Sequence, residues 1–480
     1  MVQPAVQRTP PEVWVSIFEW ATFVPHAFDV DAVDPFDVPS TPYIFDRAAQ
    51  EDLRAILTTK TTLVLVCRRW HALATPLLYQ AVSVRTNRAL QRLHDTLEHF
   101  AHNHHDANRA RRIRIRRFDL LKWSADHPGP ASGPRVLPKP DVLARLIAHM
   151  PHLEIFCEMV DSPFYDDTSG FFFACLRPGL DALRTHCAAS LRKCVLGSTC
   201  TVPAEAYVSL RTAFPNLSCL FTAHTIPRGS GTTSTSAEHE PDPAALPPSL
   251  PPAQSQPPSL TGLSIHLTDI VPSTQLWPVP WPIPTLKHLH IILEEHTPPA
   301  ASAALAAPFL RAQSPYLASV HLDLRRCASS SGAAAASVLS AHCAHLVLVV
   351  RTYVDVPARV THLGVFAARG TAYMHVLGGR RMRDAGLCEH MRCAVRIVRG
   401  LRLAGDAEDQ EQDGQGGLRV VRRLGRATEA EWALFGGGGA ELEALCVAAG
   451  AELGRGRCRV EDADGRDLLV ILRGAQGDRE

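Results

Sequence analysis

The chain has 480 residues, 46% of them hydrophobic and 20% charged, which is typical of a folded protein with several domains or one domain and a repeat array. Its 49 basic and 48 acidic residues balance, so net charge indicates neither a nucleic-acid nor an anionic-membrane partner. No apolar stretch reaches the roughly 18 residues of a membrane span, and residues 1–8 lack a signal-peptide pattern. The 13 cysteines include no Cys-x-x-Cys pair, so we expect reduced thiols and a cytoplasmic or nuclear location.

Two helices separated by a loop are predicted in the first part of the chain. A start signal at 9–12 would place Thr9 at the N-cap, with Glu12 completing a capping box, and apolar residues follow at helical spacing. A loop rich in Asp and Pro is expected from about 25 to 42. A second helix is predicted from Thr59 to Ala74, ended by Thr75-Pro76. We assign 8–85 to this helical module.

The remaining residues, 86–480, are predicted to form a second region. A polar helix is expected at 87–106, and residues 112–118 alternate arginine with apolar residues in the manner of a strand. Three inserts rich in Pro, Ser, Gly or acidic residues are predicted to be disordered: 126–140, 227–258 and 405–417.

A short internal repeat is the most informative feature of this second region. The pattern Pro-x-Leu-x-x-apolar begins at Pro151, Pro215, Pro258, Pro284 and Pro315, with a looser copy at Leu346 and Leu348. A strand recurring about every 20–29 residues is the signature of leucine-rich repeats. We therefore predict an α/β protein in which the helical module precedes an irregular leucine-rich-repeat-like solenoid. An asparagine ladder is missing, so an α/β domain whose buried strands share a Pro-Leu start by chance stays open.

Motifs for catalysis or metal binding are absent from the sequence. There is no phosphate-binding Gly-rich loop, no His-Glu-x-x-His and no Gly-x-Ser-x-Gly elbow, so we predict neither an enzyme nor a cofactor. Two clusters lack the paired spacing of zinc ligands, and no metal is predicted: His94, His99, His102, His104 and His105; and Cys388, His390 and Cys393. The arginines at 109–117 alternate with apolar residues and have no stacking aromatics, so nucleic-acid binding is not favoured.

Two motifs in the helical module carry a resemblance to a known family. Residues 10–18 (PPEVWVSIF) are similar to the opening of an F-box, and residues 63–70 (LVLVCRRW) are similar to its second half. Residues 8–79 thus resemble an F-box of the divergent form common in mushroom-type fungal F-box proteins. The resemblance implies a substrate-recognition subunit of an SCF-type ubiquitin ligase, joined to a cullin-RING ligase through a Skp-family adaptor.

The resemblance also implies which residues contact the adaptor. By their positions in the two motifs, the predicted adaptor-binding residues are Pro10, Pro11, Ile17, Phe18, Leu63, Val66, Cys67 and Trp70. An alternative is a leucine-rich-repeat interaction scaffold without a ligase role, and a third possibility is a hydrolase or transferase within 360–480. Adaptor binding would separate the first two.

The repeat pattern also predicts where a target protein would bind. Strand side chains alternate, so the residues flanking the second apolar residue of each repeat should point to the concave face of the solenoid. That face would carry Ser264, Ser319 and the predicted target-binding residues His266, His288, His290, His321 and Asp323. A His-rich chain would also place His on any exposed strand face, so this titratable column needs no binding role.

Overall fold

A computed structural model describes a subset of the chain, and every structural statement below concerns that subset. The described residues are 9–38, 47–102, 113–121, 139–159, 171–203, 210, 213–226, 260–266, 283–292, 310–323, 345–350, 362–367, 420–423 and 459–461. They form an α/β structure in which N-terminal helices precede an all-parallel sheet. The predicted inserts lie outside these residues, except that Lys139 and Pro140 are described and Pro140 begins a helix. Among the described helices, none is long and apolar enough to cross a bilayer.

Three helices form the N-terminal module: α1 (Pro11–Ala21), α2 (Arg47–Val66) and α3 (Arg68–Gln80). Their shared core is apolar and contains Phe18, Val64, Ala74 and Leu77, with Trp14, Leu63, Trp70, Leu73 and Leu78 packed around it. Removing these side chains from water holds the three helices together, since most helical stability in proteins comes from the packing of an apolar face.

The helix boundaries differ from the predicted ones. Pro10, not Thr9, is the N-cap of α1, and no side chain caps this helix. The predicted helix from Thr59 to Ala74 is wrong, because the chain breaks at Cys67, whose backbone is extended and whose Sγ accepts a hydrogen bond from the Trp70 N–H at 3.5 Å. The predicted stop at Pro76 is also wrong, since α3 continues through it to its end at Gln80.

Twelve parallel strands follow in chain order, and each pairs with the next. Their bounds are β1 (Ala81–Val84), β2 (Arg117–Leu121), β3 (Ile155–Met159), β4 (Lys193–Pro203), β5 (Cys219–Ile226), β6 (Gly262–His266), β7 (His288–Ile292), β8 (Ser319–Asp323), β9 (His345–Val350), β10 (His362–Ala367), β11 (Val420–Arg423) and β12 (Arg459–Glu461). The strand predicted at 112–118 begins later, at Arg117. Helices occupy the first three crossovers after β1: α4 (Asn87–His102), α5 (Pro140–Ala148) and α6 (Phe171–His186).

The predicted repeat is confirmed as a strand-entry motif. Each of the five Pro-x-Leu segments lies directly before a strand that begins four residues after the proline, at β3, β5, β6, β7 and β8. The leucine is fully buried in the first four copies: Leu153, Leu217, Leu260 and Leu286. Two further copies were missed because they lack the proline, and there Ile115 and Leu191 occupy the buried position before β2 and β4.

A ladder of backbone carbonyls joins the entry segments of successive strands. The residue before each strand accepts two N–H groups from the next entry segment, at 2.7 to 3.1 Å. The accepting residues are Arg116, Glu154, Arg192, Ser218, Thr261 and Lys287. Backbone atoms therefore satisfy the buried turns of this edge, where the sequence lacks an asparagine ladder.

The two faces of the sheet are both covered in the described region. The second residue of each strand from β2 to β8 is at most 1% exposed, so this face of the sheet is buried: Phe118, Phe156, Cys194, Leu220, Leu263, Leu289 and Val320. The first and third residues point to the opposite face. This opposite face is where the sequence predicts target binding, and it is covered by another part of the chain.

Candidate functional site: an apolar helix face and a covered sheet face

An exposed apolar face runs along α1. Val13, Ile17 and Trp20 are 45%, 46% and 82% exposed, and their spacing of four and three residues places them on one side of the helix. Leu65 and Val66, at the end of α2, are exposed as well. Large apolar side chains grouped in this way on a surface mark interaction sites more often than single exposed ones do.

The predicted adaptor-binding residues divide into exposed and buried ones. Those on the surface are Pro10, Pro11, Ile17, Val66 and Cys67, whereas Leu63 and Trp70 are half-buried. Phe18 is 1% exposed inside the module core, so the expectation that its side chain forms part of a docking surface is wrong. Ile17 and Phe18 are about 100° apart on α1, and Phe18 lies on the side of the helix that packs into the module core.

An aromatic cluster lies directly beneath this surface. The ring of Trp70 is 4.9 Å from the rings of both Trp14 and Phe18, in tilted and edge-on arrangements. The indole nitrogens of Trp14 and Trp70 are buried and have no hydrogen-bond partner among the described residues. Trp70 therefore stabilises the module, and truncating it tests the fold rather than docking.

The predicted histidine column is aligned as expected but is not exposed. Parallel pairing places Ser264 beside His290 and His290 beside His321, and it places His288 beside Ser319. His290 and His321 are buried, however, so the expectation that they form an open surface is wrong. His288 is half-buried. His266 and Asp323 are the last residues of β6 and β8, and their side chains lie outside the described part.

Serine hydroxyls connect these histidines across the strands. Ser264 Oγ donates to the carbonyl oxygen of Thr222 at 2.7 Å and lies 3.0 Å from His290 Nδ1. Ser319 Oγ lies 2.9 Å from His288 Nδ1 and 3.3 Å from His321 Nε2. Burial lowers the pKa of His321 to about 3 and also lowers the pKa of His288, so both rings are neutral at physiological pH.

Residues 24–37, which we name the strap, cover the face on which these side chains lie. The strap belongs to the loop between α1 and α2, and it crosses the sheet from β2 towards β9. Strand side chains bind its backbone in order: the carbonyls of Ala27, Asp29 and Val30 accept from Arg117, Lys193 and Ser218 at 2.7, 3.1 and 3.1 Å. These three carbonyls of the strap therefore face side chains of the sheet region, and the strap includes one turn at 25–28 and another at 35–37.

Apolar contacts fill the space between these hydrogen bonds. Val30 packs in a cluster with Ile155, Cys157, Val195, Cys219 and Phe221, and Ala32 lies against it. Gly262 leaves room for the strap, because a Cβ on this residue would lie only 2.7 Å from the Ala32 Cβ. Any residue larger than glycine at position 262, the first position of β6, would therefore displace Ala32.

An ion pair anchors the far end of the strap. Asp34 accepts a hydrogen bond from His345 Nδ1 at 2.6 Å, and the ring of Phe36 lies 5.2 Å from the His345 ring. The hydrogen bond to Asp34 raises the pKa of His345. Burial by itself would raise the pKa of Asp34, but the bonds from His345 and from the Phe36 N–H outweigh it and lower this pKa. Both shifts favour the charged pair.

Two of the described arginines of this run, Arg116 and Arg117, are paired with carboxylates, whereas Arg114 is exposed. Arg116 makes two hydrogen bonds to Glu154, at 2.9 and 2.8 Å, and lies over the ring of Phe28 of the strap. Arg117 binds the fully buried Asp119 at 2.9 Å. Residues 109–112 lie outside the described residues.

One group of three possible metal ligands lies on α4. Ligand atoms of His94, Asp95 and Glu98 are within 4.8 Å of one another, and both carboxylates are exposed. His94 lies 3.3 Å from Asp95 and one helical turn from Glu98, so side-chain pairing on one helix accounts for the group. His99 and His102 lie further along α4. The other predicted clusters, with His104, His105, Cys388, His390 and Cys393, lie outside the described residues.

Comparisons with known proteins assign no family. No family model matches the chain, and no curated protein matches it significantly. The residues that sequence analysis missed are Val13, Trp20 and Leu65 on the helical surface, and Val30, Ala32 and Asp34 of the strap. Helical periodicity groups Val13 and Trp20 with Ile17 on one side of α1 but does not show that this side faces outwards, and nothing in the sequence of the strap indicates the sheet it covers.

Proposed function

We propose that this protein is the substrate-recognition subunit of an SCF-type ubiquitin ligase. The exposed apolar face of α1, formed by Val13, Ile17 and Trp20, carries the proposal, because it lies in the segment that resembles an F-box. A helix that presents apolar residues at this spacing fits a hydrophobic groove on a partner. The protein would then bind a Skp-family adaptor through this face and perform no bond chemistry of its own.

The target would bind to the sheet region, which we propose is an irregular leucine-rich-repeat-like solenoid. Supporting observations are the parallel order of the strands, which follows the chain, and the recurring Pro-x-Leu entry motif. Solenoids of this kind offer long surfaces for partners. Holding a target beside a ubiquitin-loaded enzyme raises the effective concentration of its lysines, and this is the whole catalytic contribution of such a receptor.

The second candidate is a repeat scaffold that binds partners without any ligase. The parallel sheet alone favours neither candidate, because both need it. The third possibility, an enzyme within 360–480, falls mostly on residues outside the described part, where only β10, β11 and β12 are available. Adaptor binding separates the first two candidates.

The decisive experiment measures binding of the full chain to a purified Skp-family adaptor by calorimetry. Trp20→Ala should weaken binding by about thirtyfold, because a large aromatic anchor at an interface is worth about 2 kcal/mol. Ile17→Ala should weaken it less. Glu19→Ala is the matched control, since Glu19 is exposed on the same helix but lies off the apolar face.

Exposed residues are chosen so that the fold is left intact. Trp20→Ala and Glu19→Ala should unfold at the same temperature as the wild type, whereas Phe18→Ala should not. A wild-type chain that fails to bind the adaptor at micromolar concentration would leave the scaffold as the better interpretation. Equal binding by Trp20→Ala and wild type would exclude this face as the docking site.

A further inference from the structure

The chain is poor in lysine for its length. Of the 49 basic residues, 44 are arginine and five are lysine, and residues 288–480 contain no lysine. The lysines are Lys60, Lys122, Lys139, Lys193 and Lys287. The guanidinium of arginine keeps its proton in proteins and does not accept an acyl group, whereas the neutral amine of lysine is a nucleophile. The side chains on which a stable amide bond can form are therefore few.

Two of the four described lysines are held by the fold. Lys60 lies on α2 and is only 4% exposed. Burial lowers the pKa of Lys60, which favours the neutral amine, but a large acyl donor cannot reach a side chain buried to this extent. Lys193 is half-buried at the start of β4, and its Nζ donates to the carbonyl oxygen of Asp29 in the strap at 3.1 Å. Limited access therefore disfavours both as acyl acceptors.

The other two described lysines are exposed on a fixed backbone. Lys139 directly precedes α5, and its N–H donates to the side-chain oxygen of Asn87 at 2.9 Å. Lys287 directly precedes β7, and its carbonyl oxygen accepts from the N–H groups of Ala318 and Ser319 at 2.7 and 3.1 Å. Among the described residues, neither ammonium group has a hydrogen-bond partner. Both amines are therefore open to a large acyl donor.

We propose that Lys139 and Lys287 are the sites at which this chain is itself modified with ubiquitin, and that residues 288–480 are not modified because they lack lysine. The proposal rests on the proposed function, since it needs a ubiquitin-loaded enzyme held beside the chain. When no target is bound, the amines at high effective concentration are those of the receptor. Self-modification therefore competes with transfer to the target, and the small number of acceptors limits this competition.

The chemical step is the aminolysis of a thioester. The neutral amine of Lys139 or Lys287 attacks the carbonyl carbon that joins ubiquitin to a cysteine of the loaded enzyme. A C–N bond forms, the C–S bond breaks and the enzyme's thiolate leaves, while the attacking nitrogen releases a proton that balances the charge of the thiolate. The nitrogen must come within about 3–3.5 Å of the carbonyl carbon, so access to the amine decides which lysine reacts.

The first test measures access to each amine in the full chain without any ligase. A trace of N-hydroxysuccinimide acetate is added, and the acetylation rate of each lysine is followed by mass spectrometry. Lys139 and Lys287 should react at least roughly tenfold faster than Lys60, whose reaction needs local opening of the fold, and Lys193 should react at an intermediate rate. In concentrated urea the rates should converge. Equal rates for Lys60 and Lys287 in native buffer would overturn the assignment of the acceptors.

The second test measures ubiquitin transfer to the chain in the reconstituted ligase without a target. Every sample carries Lys122→Arg, because Lys122 lies outside the described residues. The double variant Lys139→Arg/Lys287→Arg should lower the initial rate of self-modification by roughly tenfold, whereas the matched control Lys193→Arg should leave it unchanged. An unchanged rate in the double variant overturns the proposal, and so does modification that maps mainly to Lys60 or Lys193.

A rescue variant distinguishes the loss of an acceptor from damage to the fold. Arg311→Lys puts an amine at an exposed position of the lysine-free part, and it should restore modification of the double variant at position 311. No restoration would overturn the role assigned to the missing lysines.

Adaptor binding is measured on the same samples. A chain that binds the adaptor but is never modified overturns self-modification alone. A chain that does not bind the adaptor overturns the ligase role and self-modification with it, whereas the acetylation rates of the first test do not depend on the ligase.

Discussion

The two faces of one sheet are buried in different ways. On the core face, the second residues of the strands, such as Phe118, Phe156 and Leu289, pack within the same repetitive region. On the opposite face, Ser218 binds Val30, which lies 188 residues earlier in the chain. Alternation along a strand identifies two faces, but it does not tell which of them meets water.

The side chains of the two faces explain why the strap-covered face was wrongly predicted to be exposed. The core face is mostly apolar, although Glu158 and Thr222 are buried at the fourth positions of β3 and β5, whereas the strap-covered face contains Asp119, Ser264, His290 and His321. Each of these four polar groups of the strap-covered face is hydrogen-bonded or paired across the face. Polar residues at alternate positions are equally typical of a solvated face, so composition alone could not reveal the cover.

The largest effect is expected on the core face. Phe156→Ala should lower the free energy of unfolding by about 3–5 kcal/mol, because a fully buried ring is replaced by a cavity. Urea unfolding followed by circular dichroism measures the loss. Combination with Val30→Ala should be additive, since Val30 belongs to the cluster on the other face. A loss below about 1 kcal/mol would mean that the ring is not in the core.

On the strap-covered face, truncating a buried side chain should lower the free energy of unfolding by less than on the core face, and part of the loss should depend on the strap. Phe221→Ala should cost about 2–3 kcal/mol, since the strap can settle into part of the cavity. The same substitution combined with Val30→Ala should be non-additive by about 0.5–1 kcal/mol, because the two side chains belong to one cluster. Additivity in this double-mutant cycle would contradict the packing of Val30 on the sheet.

The Asp34–His345 pair at the end of the strap should contribute less to the free energy of unfolding, and only within a limited pH range. Asp34→Asn keeps an oxygen for the Phe36 N–H but removes the charge that binds His345. The raised pKa of His345 stabilises the fold below about pH 6.5 and ceases to do so as the pH rises through its folded value. The lowered pKa of Asp34 contributes above about pH 4. The variant should lose about 1–2 kcal/mol at pH 6 and less at pH 8.5.

Thermal melts at the two pH values check this window. His345→Ala is the matched variant, and the loss at pH 6 should be similar whichever partner is removed. A pH-independent loss would indicate that the pair is not ionised.

The smallest change in stability at neutral pH is expected when the buried His321 is replaced. The pKa of His321 is about 3 in the folded chain, so the unfolded chain binds one more proton as the pH falls below about 6.5. Stability should fall by up to about 1.4 kcal/mol per pH unit from this group alone. His321→Asn should therefore reduce the decline between pH 7 and 5 while changing stability little at pH 7.5. An unchanged pH dependence would place His321 in water.

The elements that could be predicted from the sequence are those whose signal is local. The Pro-x-Leu entries before β3 and β5 to β8 follow from a repeated turn and a leucine that must be buried. The copies at Ile115 and Leu191 were missed because burial of the apolar residue, not the proline, is the physical requirement. The break at Cys67 was missed because an apolar run on both sides resembles one helix.

Local sequence patterns were sufficient to predict the alternation of strands, their parallel repetition and the apolar helices of the first module. The structure was needed to show that Phe18 faces inwards while Trp20 faces outwards, and that the strap packs on the same sheet face as the histidine column. The reason is that the periodicity of helices and strands depends on residues close together in the sequence. The contact between the strap and the sheet joins segments that are far apart in the sequence. Asp34 and His345 are 311 residues apart, and neither carries a local sign of the other.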